Sequence, residues 1–176
     1  IDRKVYGEKH SEVATDMLNL AEFYGEVGRY NRALDYLRES LVIRKEVSGE
    51  EHPSVATVLN NIAGVYCDMN RPDKSVKYQE EALAIDRKNY GNDHGEVATD
   101  LSNLATYLSM VVEQGGADRT EDAVKHFHEA LDIKRKVFGR DHSSVATILN
   151  NLATLYRDIG KEEEAIKYGR EAVDIL

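Results

Sequence analysis

The stretch Gly49–Tyr66, GEEHPSVATVLNNIAGVY, decides the fold, because it returns. Gly139–Tyr156 reads GRDHSSVATILNNLATLY, and looser copies open at Gly7 (GEKHSEVATDMLNLAEFY) and Gly91 (GNDHGEVATDLSNLATYL). The opening glycines Gly7, Gly49, Gly91 and Gly139 lie 42, 42 and 48 residues apart, so the third unit carries six extra residues. A period of this length signals a stacked array in which each unit buries its apolar face only against its neighbours.

Each unit reads as two helices. In the second unit Val55, Ala56, Leu59, Ile62, Ala63 and Tyr66 recur at threes and fours, which makes one apolar stripe from Pro53 to Met69. Pro53 suits the first helical position, where no N–H is needed. Asn70 can leave the helix through the left-handed conformation, as Gly28 and Gly160 can at the matching places. A second helix is predicted from Pro72 to Asn89, with Ser75, Val76, Tyr78, Ala82, Leu83 and Ile85 on its stripe. Arg87 and Lys88 in its last turn complement the helix dipole. Small residues at Ala21, Ala63, Ala105 and Ala153 in the first helices, and at Ala33, Ser75, Ala123 and Ala165 in the second, predict close helix approach. Tyr24, Tyr66 and Tyr156 fill space nearby. The fold class is all-α.

Composition narrows the function. The 176 residues are 41% hydrophobic and 31% charged, with a net charge of −9. A chain this acidic is not expected to bind nucleic acid, which needs a basic face. No apolar run reaches the roughly 18 residues of a membrane span, and the start has no signal-peptide pattern. The single cysteine, Cys67, allows no intrachain disulfide, and there is no N-glycosylation sequon. These features predict a cytoplasmic protein without membrane contact.

The registered polar residues are the candidates for chemistry. His10, His52, His94 and His142 share one position, but equal positions in neighbouring units are at least a helix-packing distance apart. A metal needs its ligands about 2 Å from one ion, and no nucleophile or acid recurs beside these rings. They are read as structural turn residues that bond backbone groups at the helix start. His126 and His128, two apart on one helix, point to different faces. No catalytic residue, metal or cofactor is expected, and the chain is not read as an enzyme. Asn19, Asn61, Asn103 and Asn151 occur in every unit and are also read as structural. The position before them (Leu18, Asn60, Ser102, Asn150) varies. It is read as groove-lining, on the argument that a core position would not tolerate Leu, Asn and Ser alike.

Small residue, Tyr, Gly and Ala at these spacings resemble the tetratricopeptide repeat. The wording HPSVATxLNNLAxLY … EALxIxRKxxG is similar to the 42-residue variant of kinesin light chains and nephrocystin-3-like proteins, over essentially the whole chain. The resemblance implies a right-handed superhelix of antiparallel helix pairs, a solenoid of about four repeats. It also implies that the first helices line a concave groove for a peptide. Carried over by register, the groove residues are Thr15, Thr57, Thr99 and Thr147, then Leu18, Asn60, Ser102 and Asn150. One turn on come Glu22, Gly64, Thr106 and Thr154, and beyond them Gly25, Cys67 and Arg157. Kinesin light chains as a family have a basic groove that takes acidic, Trp-containing motifs. Here the surface is rich in hydroxyls and amides, with Glu22, Glu26, Asp68 and Asp158 at one edge and Arg157 as the clear cation. The expected partner is therefore a neutral or basic protein segment. Cys67 is expected to be a small, half-buried thiol.

The expected organisation is one array over residues 1–176, cut from a longer one. Residues 1–6 are the tail of a preceding repeat, since IDRKVYG matches IDRKNYG at 85–91. Repeats follow at 7–48, 49–90, 91–138 with the insertion, and 139–176, truncated. The insertion, SMVVEQGGADRTED, is expected to lengthen a first helix by a turn and add a loop, with Asp118 or Thr120 capping the next helix. The function expected is a non-catalytic interaction scaffold. Two alternatives are a self-assembling array that stacks end to end and the regulatory arm of a larger signalling protein or enzyme.

Overall fold

The computed structural model describes residues 10–175. Residues 1–6, expected as the tail of a preceding repeat, lie outside the described residues. The described residues form eight α-helices: α1 Ser11–Glu26, α2 Tyr30–Ser48, α3 Pro53–Asp68, α4 Pro72–Tyr90, α5 Gly95–Glu113, α6 Thr120–Phe138, α7 Ser143–Asp158 and α8 Glu162–Ile175. They pack as antiparallel pairs in sequence, giving about four repeats. The chain divides into two compact units, Ile1–Asn89 with the first two pairs and Tyr90–Leu176 with the last two.

The recurring histidine starts each first helix. His10, His52, His94 and His142 are N-caps with extended backbones. In each, Nδ1 accepts the backbone N–H two residues on, from Glu12, Ser54, Glu96 and Ser144, at 3.1–3.2 Å. The ring nitrogen does what a Ser or Asp oxygen usually does at this position. Two of the rings are also stacked: Tyr90 lies on His94 and Phe138 on His142, with centroids 4.4 and 4.8 Å apart.

Each first helix ends the same way. Gly28, Asn70, Gly115 and Gly160 have positive φ, between 57° and 76°. The next N–H then bonds back to the last turn: Arg29 to Tyr24, Arg71 to Tyr66, Gly116 to Val111 and Lys161 to Tyr156, at 2.7–2.9 Å. This closure satisfies the carbonyls that a helix end leaves open.

The six extra residues are shared between helix and loop. α1, α3 and α7 have 16 residues each and α5 has 19, so the other three lengthen the connection to α6. Gly116 in that connection admits no side chain, since a Cβ would lie 2.7 Å from Val111 Cγ1 and 2.8 Å from Val111 O. Asp118 Oδ1 accepts the Thr120 N–H at 3.1 Å and ties down the turn, while Thr120 is the first residue of α6.

In the first unit Ala21, Ala33, Leu34, Leu37, Val58, Ile62, Val65 and Tyr66 form one core cluster across α1, α2 and α3. Val55, Ala56, Leu59 and Ala82 join α3 to α4. The small residues allow the close approach: Ala33, Ala63, Ser75, Ala105 and Ala123 are fully buried. Ala153 and Ala165 in the last pair are half-buried. A tyrosine from each helix of a pair stacks nearly parallel at that approach, Tyr24 on Tyr36, Tyr66 on Tyr78 and Tyr156 on Tyr168, with centroids 5.4–5.6 Å apart. Leu108 and His126 hold these places in the third pair.

Candidate functional site

The registered threonines of the first helices are not idle. Thr15, Thr57, Thr99 and Thr147 each donate the hydroxyl proton to the carbonyl four residues back, at 3.1–3.2 Å. Their oxygens are left as acceptors, and two are used. Arg44 Nη2 donates to Thr15 at 3.1 Å, and Lys134 Nζ donates to Thr99 at 2.9 Å. Both cations come from the second helix of the same repeat. Burial pushes the Arg44 and Lys134 pKa values down, and Glu12 and Glu96 respectively oppose that. Sequence reasoning counted Arg157 as the clear cation and missed these two. The available signal was their shared register: Arg44, Asp86 and Lys134 occupy one position of the second helix.

The variable position also faces inward in part. Leu18 packs against the cluster that contains Leu37. Asn60 is half-buried, and its Oδ1 accepts from the fully buried Gln79 Nε2 at 2.7 Å. Ser102 is only 9% exposed, whereas Asn150 is exposed. The second-helix residues in register are Leu37, Gln79, Phe127 and Gly169. In the first two repeats the residue across from this position changes with it, from Leu37 beside Leu18 to Gln79 beside Asn60. Of the asparagines present in every unit, Asn19 and Asn61 are exposed and Asn103 and Asn151 half-buried.

On α3 the open face carries Thr57, Asn61 and Asp68, with Gly64 half-buried between them. A Cβ at Gly64 would meet nothing within 4 Å, so this glycine has no packing reason. Cys67 is half-buried. Burial raises its pKa first and the neighbouring Asp68 raises it further, which favours the protonated thiol. On α1, Glu22 is exposed and Gly25 half-buried.

Within the second unit two cavities involve α7. A cleft of about 110 Å³ lies between α5 and α7, lined by Thr106, Ser109, Met110, Glu113, Asn151, Thr154, Leu155 and Asp158 over a floor at Phe127. A wider depression of about 460 Å³ lies between α7 and α8, lined by Asn150, Ala153, Thr154, Arg157, Glu162, Ala165 and Ile166. Thr154 borders both. Arg157 Nη2 pairs with Asp158 Oδ1 at 2.8 Å in an exposed contact. Among the described residues no cluster of three or more His, Cys, Asp or Glu can hold a metal ion, and no helix is long and apolar enough to cross a membrane.

The fold is shared with solved structures. BtubC (BKLC) from P. vanneervenii is 25% identical, with a TM-score of 0.81 over 94% of this chain and 63% of that one. This chain thus spans less than two thirds of the BtubC length. A Podospora anserina kinesin light chain with nearly identical TPR-like repeats is 22% identical, with a TM-score of 0.78 over 95% of this chain and 76% of that one. MamA is more distant, at 15% identity and a TM-score of 0.62 over 92% of this chain and 77% of that one. No curated protein matches the chain. The tetratricopeptide repeat model matches residues 12–88, 54–111 and 115–176. The chain belongs to the tetratricopeptide repeat family, and its structural neighbours are kinesin light chain-like proteins of that family.

Proposed function

We propose that the chain is a non-catalytic interaction scaffold whose first helices hold a segment of a partner protein, in the cytoplasm. Tetratricopeptide repeats generally mediate protein binding, and the fold is typically non-catalytic. One observation carries the finer reading. Thr106 and Thr154, placed on a groove by register, line one cleft between two first helices, and Asn151 joins them. On α3, Thr57, Asn61 and Gly64 offer a polar face with a glycine that nothing else requires.

A test is to select peptides from a random displayed library on the immobilised chain and map where they bind. Charged, bulky substitutions on the first helices, Asn61→Lys and Thr154→Lys, are expected to cut retention about tenfold, near 1.4 kcal/mol. Lys125→Glu, exposed on α6, is expected to leave it unchanged. Loss from Lys125→Glu alone would place binding elsewhere.

A second reading, end-to-end association, has its own observation. Leu20 and Phe23 on α1 and Val27 just after it are exposed, and their register partners Ile62 and Val65 on α3 and Met69 just after it pack into the cluster with Leu34, Leu37 and Leu41. Ile166 and Val173 are exposed on α8, in the register of Leu34 and Leu41. In this reading one apolar face covers the other between copies. Light scattering tests this: Phe23→Lys with Val173→Lys should abolish any concentration-dependent mass, and a wild-type mass that stays monomeric removes the reading.

A further inference from the structure

The cleft between α5 and α7 has a chemistry beyond its place on a groove. Thr106 donates its hydroxyl proton to Ser102 O at 3.0 Å, and Ser109 donates to Ala105 O at 2.9 Å. Both oxygens therefore face the cleft as acceptors. Glu113 and Asp158 line it as well, and an ionised carboxylate only accepts. Asn151 and Thr154 can turn either way. No lining side chain is cationic, and the whole chain carries a net charge of −9. The floor is apolar: Phe127 is 2% exposed and Leu155 6%. Glu113 belongs to the three residues by which α5 outruns α1, α3 and α7, so the insertion supplies a carboxylate that the other repeats lack. At about 110 Å³ the space suits one side chain, well below the ~300–1,000 Å³ of small-molecule pockets.

We infer that this cleft takes a lysine or arginine side chain of the bound segment. The inference rests on the groove reading above and names what part of that groove selects. The methylene stem would lie on Met110, Leu155 and Phe127, and the cationic head, a donor with no acceptor capacity, would meet Glu113 and Asp158. A neutral donor would bond the hydroxyl oxygens but leave the two carboxylates without a counter-charge, and an acidic ligand would meet two like charges. Arg157 shares Asp158 at present, but an exposed pair of this kind holds its partner weakly.

The experiment uses pools of random peptides with one fixed central residue: lysine, arginine, norleucine or glutamate. Each pool is passed over the immobilised chain at low salt. The lysine and arginine pools are expected to be retained about fivefold better than the norleucine pool, with the glutamate pool lowest. Glu113→Gln with Asp158→Asn should bring that ratio close to one without changing retention of the norleucine pool. Glu113→Lys should favour the glutamate pool. Both positions are exposed on helix surfaces, and circular dichroism checks the fold. Equal retention of the lysine and norleucine pools would overturn this inference and leave the groove standing. Retention of no pool above a blank surface would overturn both.

Discussion

Gln79 Nε2, on a side chain with no solvent exposure, donates to Asn60 Oδ1 at 2.7 Å across the α3–α4 pair. The same two positions hold Leu18 and Leu37 in the first repeat, where the half-buried Leu18 packs against the core cluster that contains Leu37. One repeat fills the place with hydrocarbon and the next with a hydrogen-bonded amide pair. The exchange works only if both partners change.

Asn60→Ala is therefore expected to destabilise the chain by about 1–3 kcal/mol, because Gln79 loses an acceptor where water does not reach. The double change Asn60→Leu with Gln79→Leu copies the first repeat and should recover most of the loss. Urea unfolding of the single and double variants measures the coupling. Equal losses in the single and double variants would mean that the amide pair is not the link.

That pair also shows how far the sequence could be read. The repeat length, the helix pairs, the small residues and the left-handed exits were legible because each follows from local spacing or from a residue with a special backbone. The surroundings of the registered positions were legible only in part. Thr106 and Thr154 do share a cleft, but Thr15 and Thr99 are engaged by Arg44 and Lys134, and Asn60 by Gln79. Between the first two repeats, variation at one position is matched by variation nineteen residues later on the facing helix. Pairings of that kind appear only when both columns of the repeat are read together.

The histidine caps give a second prediction. His52→Ala removes the acceptor for the Ser54 N–H and is expected to cost about 0.5–2 kcal/mol. His52→Asn keeps an acceptor at the helix start and should cost less than His52→Ala. Thermal unfolding of the two variants checks the order. If alanine and asparagine cost the same, the histidine acts by packing and not by capping.

A pH dependence follows from the third and fourth repeats. His128 Nε2 lies 3.1 Å from Tyr156 OH, in the place where Arg38 Nη2 donates to Tyr66 OH in the first unit. The Tyr168 ring packs edge-on to His128, with centroids 5.8 Å apart. Burial lowers the His128 pKa below its ordinary 6.5, Asp132 pulls it up, and Lys167 and Arg135 push it down. The unfolded chain thus takes up the proton first. The contribution of neutral His128 is complete above the unfolded pKa and is lost as the pH falls through the lower folded value. The unfolding midpoint should drop between about pH 7 and pH 5, and His128→Arg, which restores the first unit's pairing, should flatten that part of the profile. An unchanged slope in His128→Arg would show that His128 is not the source of the acid sensitivity.

Gly64 joins stability to function. A glycine inside a helix costs about 0.5–1 kcal/mol relative to alanine, and a Cβ here would touch nothing within 4 Å. Gly64→Ala is therefore expected to stabilise the chain by roughly that amount, read as a higher urea midpoint. The groove proposed above gives this glycine a use, close approach of a partner, with Thr57, Asn61 and Cys67 flanking it on the same side of α3. Gly64→Leu should then keep the fold stable while weakening retention of selected peptides by about tenfold, or 1.4 kcal/mol. Full retention by Gly64→Leu would take α3 out of the binding face and confine the groove to the second unit.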